Sequence, residues 1–170
     1  AKHILDKIKE NYGDRVSTFM RINRKDGTLG IFEIPFNSWR YHPTDPTVDV
    51  AVLEGSAGNE NCDHLNILIS EFATKERLEA QKVGVGDEVF MTGLFAYHHG
   101  TSRNIPIVRV GNIALMPGED PIQSNGVPIE AYLIEARSLG GLSGSPVFVH
   151  LGGVRILEPE KGFEGIHFGP

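Results

Sequence analysis

A serine flanked by glycines is the residue of this chain best suited to nucleophilic chemistry. Ser143 lies in the segment Gly-Gly-Leu-Ser-Gly-Ser-Pro at residues 140–146. A serine that attacks a carbonyl group needs an exposed hydroxyl and backbone N–H groups that point at the developing oxyanion. Nearby glycines permit the required backbone conformation and leave room for a substrate chain. A structural turn would explain the same pattern, so the segment alone makes Ser143 a candidate.

Two further residues could activate this serine. Asp49 lies in the apolar segment Val-Asp-Val-Ala-Val-Leu at residues 48–53. An acid among apolar residues either accepts hydrogen bonds, for example from an imidazole N–H, or faces solvent at a strand start, because burying an unsatisfied carboxylate is costly. His3 follows Ala-Lys, and histidine is the natural general base near neutral pH. By itself, a histidine at such a position is usually an exposed side chain.

Together the segments Ala-Lys-His, Asp-Val-Ala-Val-Leu and Gly-Leu-Ser-Gly-Ser-Pro resemble the triad segments of chymotrypsin/trypsin-like serine peptidases. They occur in that family's order of His, Asp and Ser. Asp49 follows His3 by 46 residues and Ser143 follows Asp49 by 94, against roughly 45 and roughly 93 in the family template. Residues 85–90 are similar to the strand that opens the second barrel in bacterial members.

The resemblance implies an all-β fold, the double β-barrel of trypsin-like peptidases with the active site in the cleft between the barrels. Residues 1–72 would belong to the first barrel, 83–170 to the second, and 73–82 to the connecting segment. The family places further strands before His3 and after residue 170, so the resemblance also implies one peptidase domain that is incomplete at both ends.

The resemblance also implies a role for each candidate residue. Ser143 would be the nucleophile, His3 the base, and Asp49 the acid that orients His3, while the N–H groups of Gly141 and Ser143 would form the oxyanion hole. The predicted activity is that of a serine-type endopeptidase, which cleaves a polypeptide substrate through an acyl-enzyme and needs no cofactor or metal. An α/β-hydrolase esterase is disfavoured because its acid and histidine would have to follow the serine. The remaining alternative is a peptidase fold that serves as a non-catalytic binding or scaffold module.

Departures from the family pattern bear on regulation and specificity. Leu142 stands where digestive members carry an Asp that pairs with a newly formed N-terminus, so this kind of zymogen activation is not expected. Ser145 replaces the commoner glycine, a change the site should tolerate. Arg137 lies six residues before Ser143, and a guanidinium at the base of the specificity pocket would favour an acidic substrate side chain. A surface arginine that pairs with Glu135 or another acid is at least as good an interpretation.

The elements that must position these residues are mostly short strands. Alternating and β-branched segments predict strands over 16–22, 28–34, 48–53, 88–94, 105–115, 131–137 and 146–149. Short helices are predicted over 4–11 and 74–81. Few helices and 20 glycines are typical of an all-β barrel or sandwich.

Composition narrows the classes of partner. The formal net charge is −6 and no basic stripe is present, which argues against nucleic acid or an anionic membrane as a partner. No apolar segment is long enough for a transmembrane helix.

The single Cys62 excludes an internal disulfide and a cysteine-rich zinc site. His98 and His99 are predicted to lie in an exposed hairpin loop. No signal segment is visible, and both a cytoplasmic and an exported bacterial location fit the sequence.

Overall fold

The chain is mostly β-structure with few helices. A computed structural model describes residues 1–55, 60–118, 120–124, 126–137 and 140–152, and the backbone of 154–155 and 164–165. The two α-helices are α1 (Lys2–Tyr12) and α2 (Lys75–Ala80), and short 3-10 turns span Phe36–Ser38 and Ile69–Glu71. The strands are β1 (Ser17–Asn23), β2 (Leu29–Pro35), β3 (Trp39–Tyr41), β4 (Ala51–Leu53), β5 (Glu88–Leu94), β6 (Pro106–Leu115), β7 (Ile122–Ser124), β8 (Val127–Ile129), β9 (Leu133–Ala136), β10 (Val147–Val149), β11 (Val154–Arg155) and β12 (Glu164–Gly165).

Two antiparallel strand pairs and α1 form the N-terminal half. β1 pairs with β2 from Ser17 opposite Pro35 to Asn23 opposite Leu29, and β3 pairs with β4. The indole N–H of Trp39 donates to Thr18 Oγ1 at 3.0 Å, which ties the two pairs together. Apolar side chains of α1, among them Ile4, Leu5 and Ile8, line a cavity of about 250 Å³ against Thr18, Trp39 and Ala51. These contacts set α1 beside the strands.

A four-stranded antiparallel sheet in the order β10-β5-β6-β9 dominates the C-terminal half. Side chains alternate along β6, where Ile113 is buried while Val108 and Val110 are exposed, as expected for a strand with one covered face. The buried cluster on this sheet consists of Leu78 from α2, Val83, Val89 and Ile113. The core of this half therefore lies between α2 and one face of the sheet.

The prediction of a mainly β fold with few helices is confirmed, whereas the double barrel stays a prediction. The described strands form one four-stranded sheet and four two-stranded sheets, none of them a closed barrel. The division into two barrels at residues 73–82 likewise stays a prediction. Among the described helices, none combines the length and the apolar character needed to cross a membrane.

The predicted strand over 48–53 is shorter than expected, and the difference concerns Asp49. Only Ala51–Leu53 pairs with β3, with Tyr41 opposite Ala51 as the last pair. The carbonyl oxygen of Asp49 instead accepts the Lys2 N–H at 3.4 Å, and its carboxylate accepts the His3 N–H. Asp49 thus lies just before the strand, where its oxygens accept hydrogen bonds from the first backbone N–H groups of α1.

Candidate active site

Asp49 contacts the first turn of α1 through both carboxylate oxygens. Asp49 Oδ1 accepts the backbone N–H of His3 at 2.7 Å. The other oxygen, Oδ2, lies 2.5 Å from His3 Nδ1. The first N–H groups of a helix have no partner within the helix, and an anion at this end is stabilised by the helix dipole. Asp49 therefore caps α1 from a distant part of the chain and fixes the imidazole ring at the same time.

The electrostatics of Asp49 favour its ionised form. Partial burial opposes ionisation, but the hydrogen bonds from the His3 backbone and ring, together with nearby positive charge, outweigh it and hold the pKa of Asp49 below its usual value. The His3 and Asp49 side chains are 49% and 52% exposed, so solvent screens this attraction. With Nδ1 held by a carboxylate, Nε2 is the ring nitrogen left to accept a proton.

Ser143 lies at the exposed tip of a tight glycine loop between β9 and β10. Gly141 and Gly144 have φ values of 106° and 88°, in the left-handed region that favours glycine. The Ser145 N–H donates to the Leu142 carbonyl at 2.9 Å, which closes a turn over Ser143 and Gly144. The predicted need for glycines on both sides of the serine is thus met by the observed backbone.

The glycine loop packs closely on the end of β5. The carbonyl oxygen of Gly140 accepts the Ala96 N–H at 3.2 Å. A Cβ at Gly141 would lie 2.5 Å from the Leu94 carbonyl oxygen, and a Cβ at Gly93 would overlap Ser145 Oγ. Gly141 is therefore required by the close approach of two backbone segments, whereas Gly93 makes the space that the Ser145 and Leu142 side chains occupy.

The glycine loop also approaches α1, but it does not join the histidine. A Cβ at Gly144 would lie 3.2 Å from the backbone nitrogen of Ala1, two residues before His3. Within the described ranges, Ser143 Oγ makes no hydrogen bond to His3. The structure thus brings His3 and Asp49 together and sets the neighbour of Ser143 against the start of α1.

In the part of the chain that the structure describes, the N–H groups of the predicted oxyanion hole make no hydrogen bond and the predicted specificity residue makes no ion pair. In the described part of the chain, no hydrogen bond uses the backbone N–H groups of Gly141 and Ser143. Arg137 directly follows β9 and is exposed. It makes no ion pair with Glu135 or with any other residue that the structure describes. Its predicted role in specificity stays a prediction. The described residues contain no group of three metal-ligating side chains.

Sequence reasoning missed two polar contacts. His150 Nδ1 lies 2.7 Å from Glu88 Oε1, in a second histidine–carboxylate pair. Asn104 forms reciprocal hydrogen bonds with Asn23. The first pair follows from β5 lying beside β10, since Val149 is opposite Val89, and the second from a contact between residues about 80 positions apart. Neither pairing has a local signal in the sequence.

No protein-family model, curated protein or solved structure matches this chain. Because one fold can carry many functions, the geometry and chemistry of the site are the guide to what this protein does.

Proposed function

We propose that this protein is a serine-type endopeptidase in which Ser143 is the nucleophile, His3 the general base and Asp49 the acid that orients His3. The observation that carries the proposal is the double contact of Asp49 with His3, at 2.7 Å to the backbone N–H and 2.5 Å to Nδ1. The same two residues stand out in the sequence with Ser143, in the order of the trypsin-like family.

The reaction would proceed by acyl transfer. Ser143 Oγ attacks the carbonyl carbon of the peptide bond while His3 Nε2 takes its proton. The oxyanion accepts hydrogen bonds from the N–H groups of Gly141 and Ser143. The protonated His3, stabilised by ionised Asp49, gives its proton to the leaving amine, and water then hydrolyses the acyl-enzyme. The substrate is a polypeptide, and no step requires a cofactor.

The proposal includes the trypsin-like double barrel as the fold that positions these groups. Its support is the distribution of the candidates over the chain: His3 and Asp49 lie among the N-terminal strand pairs, whereas Ser143 lies between β9 and β10 of the C-terminal sheet. In a two-barrel peptidase the site forms where the two halves meet. The contact of Ala1 with the Gly144 position is consistent with that arrangement.

A fluorophosphonate probe tests the nucleophile directly. The probe should label the wild-type protein, and Ser143→Ala should abolish labelling without loss of folding. Ser145→Ala is the matched control, because it removes a hydroxyl two residues away in the same loop and should remain labelled. Equal labelling of wild type and Ser143→Ala would move the nucleophile to another residue.

One observation favours the alternative of a non-catalytic module. The His3–Asp49 pair is about half exposed, and no hydrogen bond among the described residues joins it to Ser143. A scaffold would tolerate such a site. A folded wild-type protein that neither reacts with the probe nor cleaves a peptide library would identify the fold as a binding module.

A further inference from the structure

The loop between β5 and β6, residues 95–105, contacts both halves of the molecule and is called here the bridging loop. At its beginning, Ala96 donates its N–H to the Gly140 carbonyl at 3.2 Å, beside the glycine loop that carries Ser143. At its far end, Gly100 and Asn104 contact β1. The loop thus connects the N-terminal strands to the segment that positions the proposed nucleophile.

Asn104 supplies most of the polar contacts at the far end. Its backbone N–H donates to Asn23 Oδ1 at 2.7 Å, and its carbonyl oxygen accepts from Asn23 Nδ2 at 3.0 Å. Its own Nδ2 donates to the Arg21 carbonyl at 2.9 Å. All three hydrogen bonds are partly buried. The Asn23 amide therefore pairs with the backbone of the bridging loop much as a neighbouring strand would.

A fourth contact acts at the same place. Arg21 Nη2 donates to the Gly100 carbonyl at 2.8 Å, also in a partly buried position. Between residues 21–23 and 100–104 there are thus four hydrogen bonds, spanning 79 to 83 positions in sequence. Partly buried polar groups lose more than exposed ones when a partner is removed, because the remaining group is left desolvated. One of the four uses the Asn104 side chain, whose Nδ2 donates to the Arg21 carbonyl, while the buried Asn104 Oδ1 has no hydrogen-bond partner among the described residues.

We infer that Asn104 is a positioning residue for the reaction, acting through the bridging loop on the glycine loop. The inference rests on the proposed function. His3 and Asp49 belong to the half that includes β1, and Ser143 belongs to the half that includes the bridging loop. A fixed junction between β1 and this loop sets the separation of base and nucleophile. Misplacement of reacting groups by about 1 Å can lower a rate by about 10²-fold.

Asn104→Asp tests the inference with almost no change in shape. The carboxylate cannot donate to the Arg21 carbonyl, while both backbone hydrogen bonds to Asn23 can remain. We expect the rate of fluorophosphonate labelling and kcat for a peptide substrate to fall by tenfold to 10²-fold, with a much smaller change in KM. Asn23→Asp is a second variant for the event that Asn104→Asp does not fold. It keeps the acceptor for the Asn104 N–H but loses the Nδ2 donor to the Asn104 carbonyl. It should lower the labelling rate and kcat in the same way, with a much smaller change in KM.

Asn112→Asp is the matched control. Asn112 Nδ2 donates to the Gly86 carbonyl at 3.0 Å in an exposed position, so the substitution also removes an amide donor from a backbone acceptor, but within the C-terminal half and without the partial burial of the Asn104 contact. It should leave labelling and kcat unchanged, and the thermal midpoint of each variant measures the purely structural effect. Labelling of folded Asn104→Asp and Asn23→Asp at the wild-type rate would overturn the inference while leaving the proposed function intact. A wild-type protein that is not labelled would overturn both.

Discussion

Two histidine–carboxylate pairs of nearly the same local geometry occur in this molecule. His3 Nδ1 lies 2.5 Å from Asp49 and His150 Nδ1 lies 2.7 Å from Glu88, and all four side chains are about half exposed. Each histidine also donates its backbone N–H to its partner residue, His3 to the Asp49 carboxylate at 2.7 Å and His150 to the Glu88 carbonyl at 2.9 Å. The contacts of the ring alone therefore do not distinguish a general base from a surface pair.

The difference lies in what surrounds each pair. His150 and Glu88 join two adjacent strands of one sheet, where β10 pairs with β5. His3 and Asp49 join a helix N-terminus to a distant segment, and Ala1 lies beside the Gly144 position of the glycine loop. Partial burial opposes ionisation of Asp49, but the hydrogen bonds from His3 hold the pKa of Asp49 below its usual value. A histidine becomes a candidate base when a nucleophile and oxyanion donors lie near it.

The strongest test of this comparison replaces each acid by its amide. Asp49→Asn should lower kcat by on the order of 10⁴, because an amide no longer holds His3 in the tautomer that accepts a proton at Nε2. Glu88→Gln makes the same chemical change in the other pair and should leave kcat unchanged. Peptide cleavage and fluorophosphonate labelling measure both, with circular dichroism as the check on folding.

Equal losses in the two amide variants would end the distinction between the pairs. If an active enzyme lost little with Asp49→Asn, the acid would be only a cap of α1. A large loss with Glu88→Gln alone would instead assign the base to His150.

A second test perturbs the loop of the proposed nucleophile and leaves both pairs in place. In Gly93→Ala the new methyl group overlaps Ser145 Oγ and lies 2.9 Å from Leu142 Cδ2, so the two side chains of the glycine loop that flank Ser143 must move. We expect a stability cost of about 1–3 kcal/mol and a fall in labelling of up to about 10²-fold. The second substitution Ser145→Gly should restore part of the lost stability and part of the lost labelling, because it removes the overlapping hydroxyl. Wild-type labelling in Gly93→Ala would show that the loop position does not control the serine.

Local patterns in the sequence were sufficient for much of the fold and for the glycine loop around Ser143. The strand predicted at 88–94 coincides with β5, and the one at 105–115 differs from β6 by a single residue, because turn residues bound long alternating segments. Ser143 could be selected because the glycines that its turn requires are adjacent in sequence. The short strands β3, β7 and β8 were not predicted, since three residues carry too little periodicity.

Contacts between distant segments could not be predicted in the same way. The pairing of His3 with Asp49 was expected only through the resemblance to a family, and the capping of α1 by Asp49 was not expected at all. His150–Glu88 and Asn23–Asn104 depend on which strands and loops become neighbours. The sequence does not encode such neighbours by a local period, because tertiary packing decides them.

A third test uses acid to break the Asp49 contact. The pKa of Asp49 is lowered in the folded protein, so folding favours its ionised form. This stabilisation is present above the ordinary aspartate pKa of about 3.9 and is lost as the pH falls through the lower folded-state pKa. Chemical denaturation of wild type and Asp49→Asn in a pH series below about pH 5 should therefore give a difference in free energy of unfolding that shrinks as the pH falls.

The comparison with the amide variant isolates Asp49 from the other acids. Asp26 and Asp45 also have lowered pKa values, owing to hydrogen bonds from Thr28 and Thr47, but they are present in both proteins and cancel. In a His3→Ala background, the change with pH in the difference in free energy of unfolding should be smaller, because the hydrogen bond from the imidazole ring is absent. A difference in free energy of unfolding that does not change between about pH 5 and pH 3 would contradict a lowered pKa at Asp49.

The smallest expected effect is the stability of the His150–Glu88 pair. Half-exposed ion pairs contribute about 0.2–1 kcal/mol, because solvent screens the charges and two side chains lose freedom. A double-mutant cycle of His150→Ala and Glu88→Gln should give a coupling energy in this range that falls as salt is added. In the corresponding cycle of His3→Ala and Asp49→Asn, the coupling energy measured from kcat should exceed the coupling energy measured from the free energy of unfolding. The proposed reaction requires Asp49 to orient the His3 ring while it carries the proton from Ser143. A catalytic coupling of similar size in both cycles would show that the two pairs act alike.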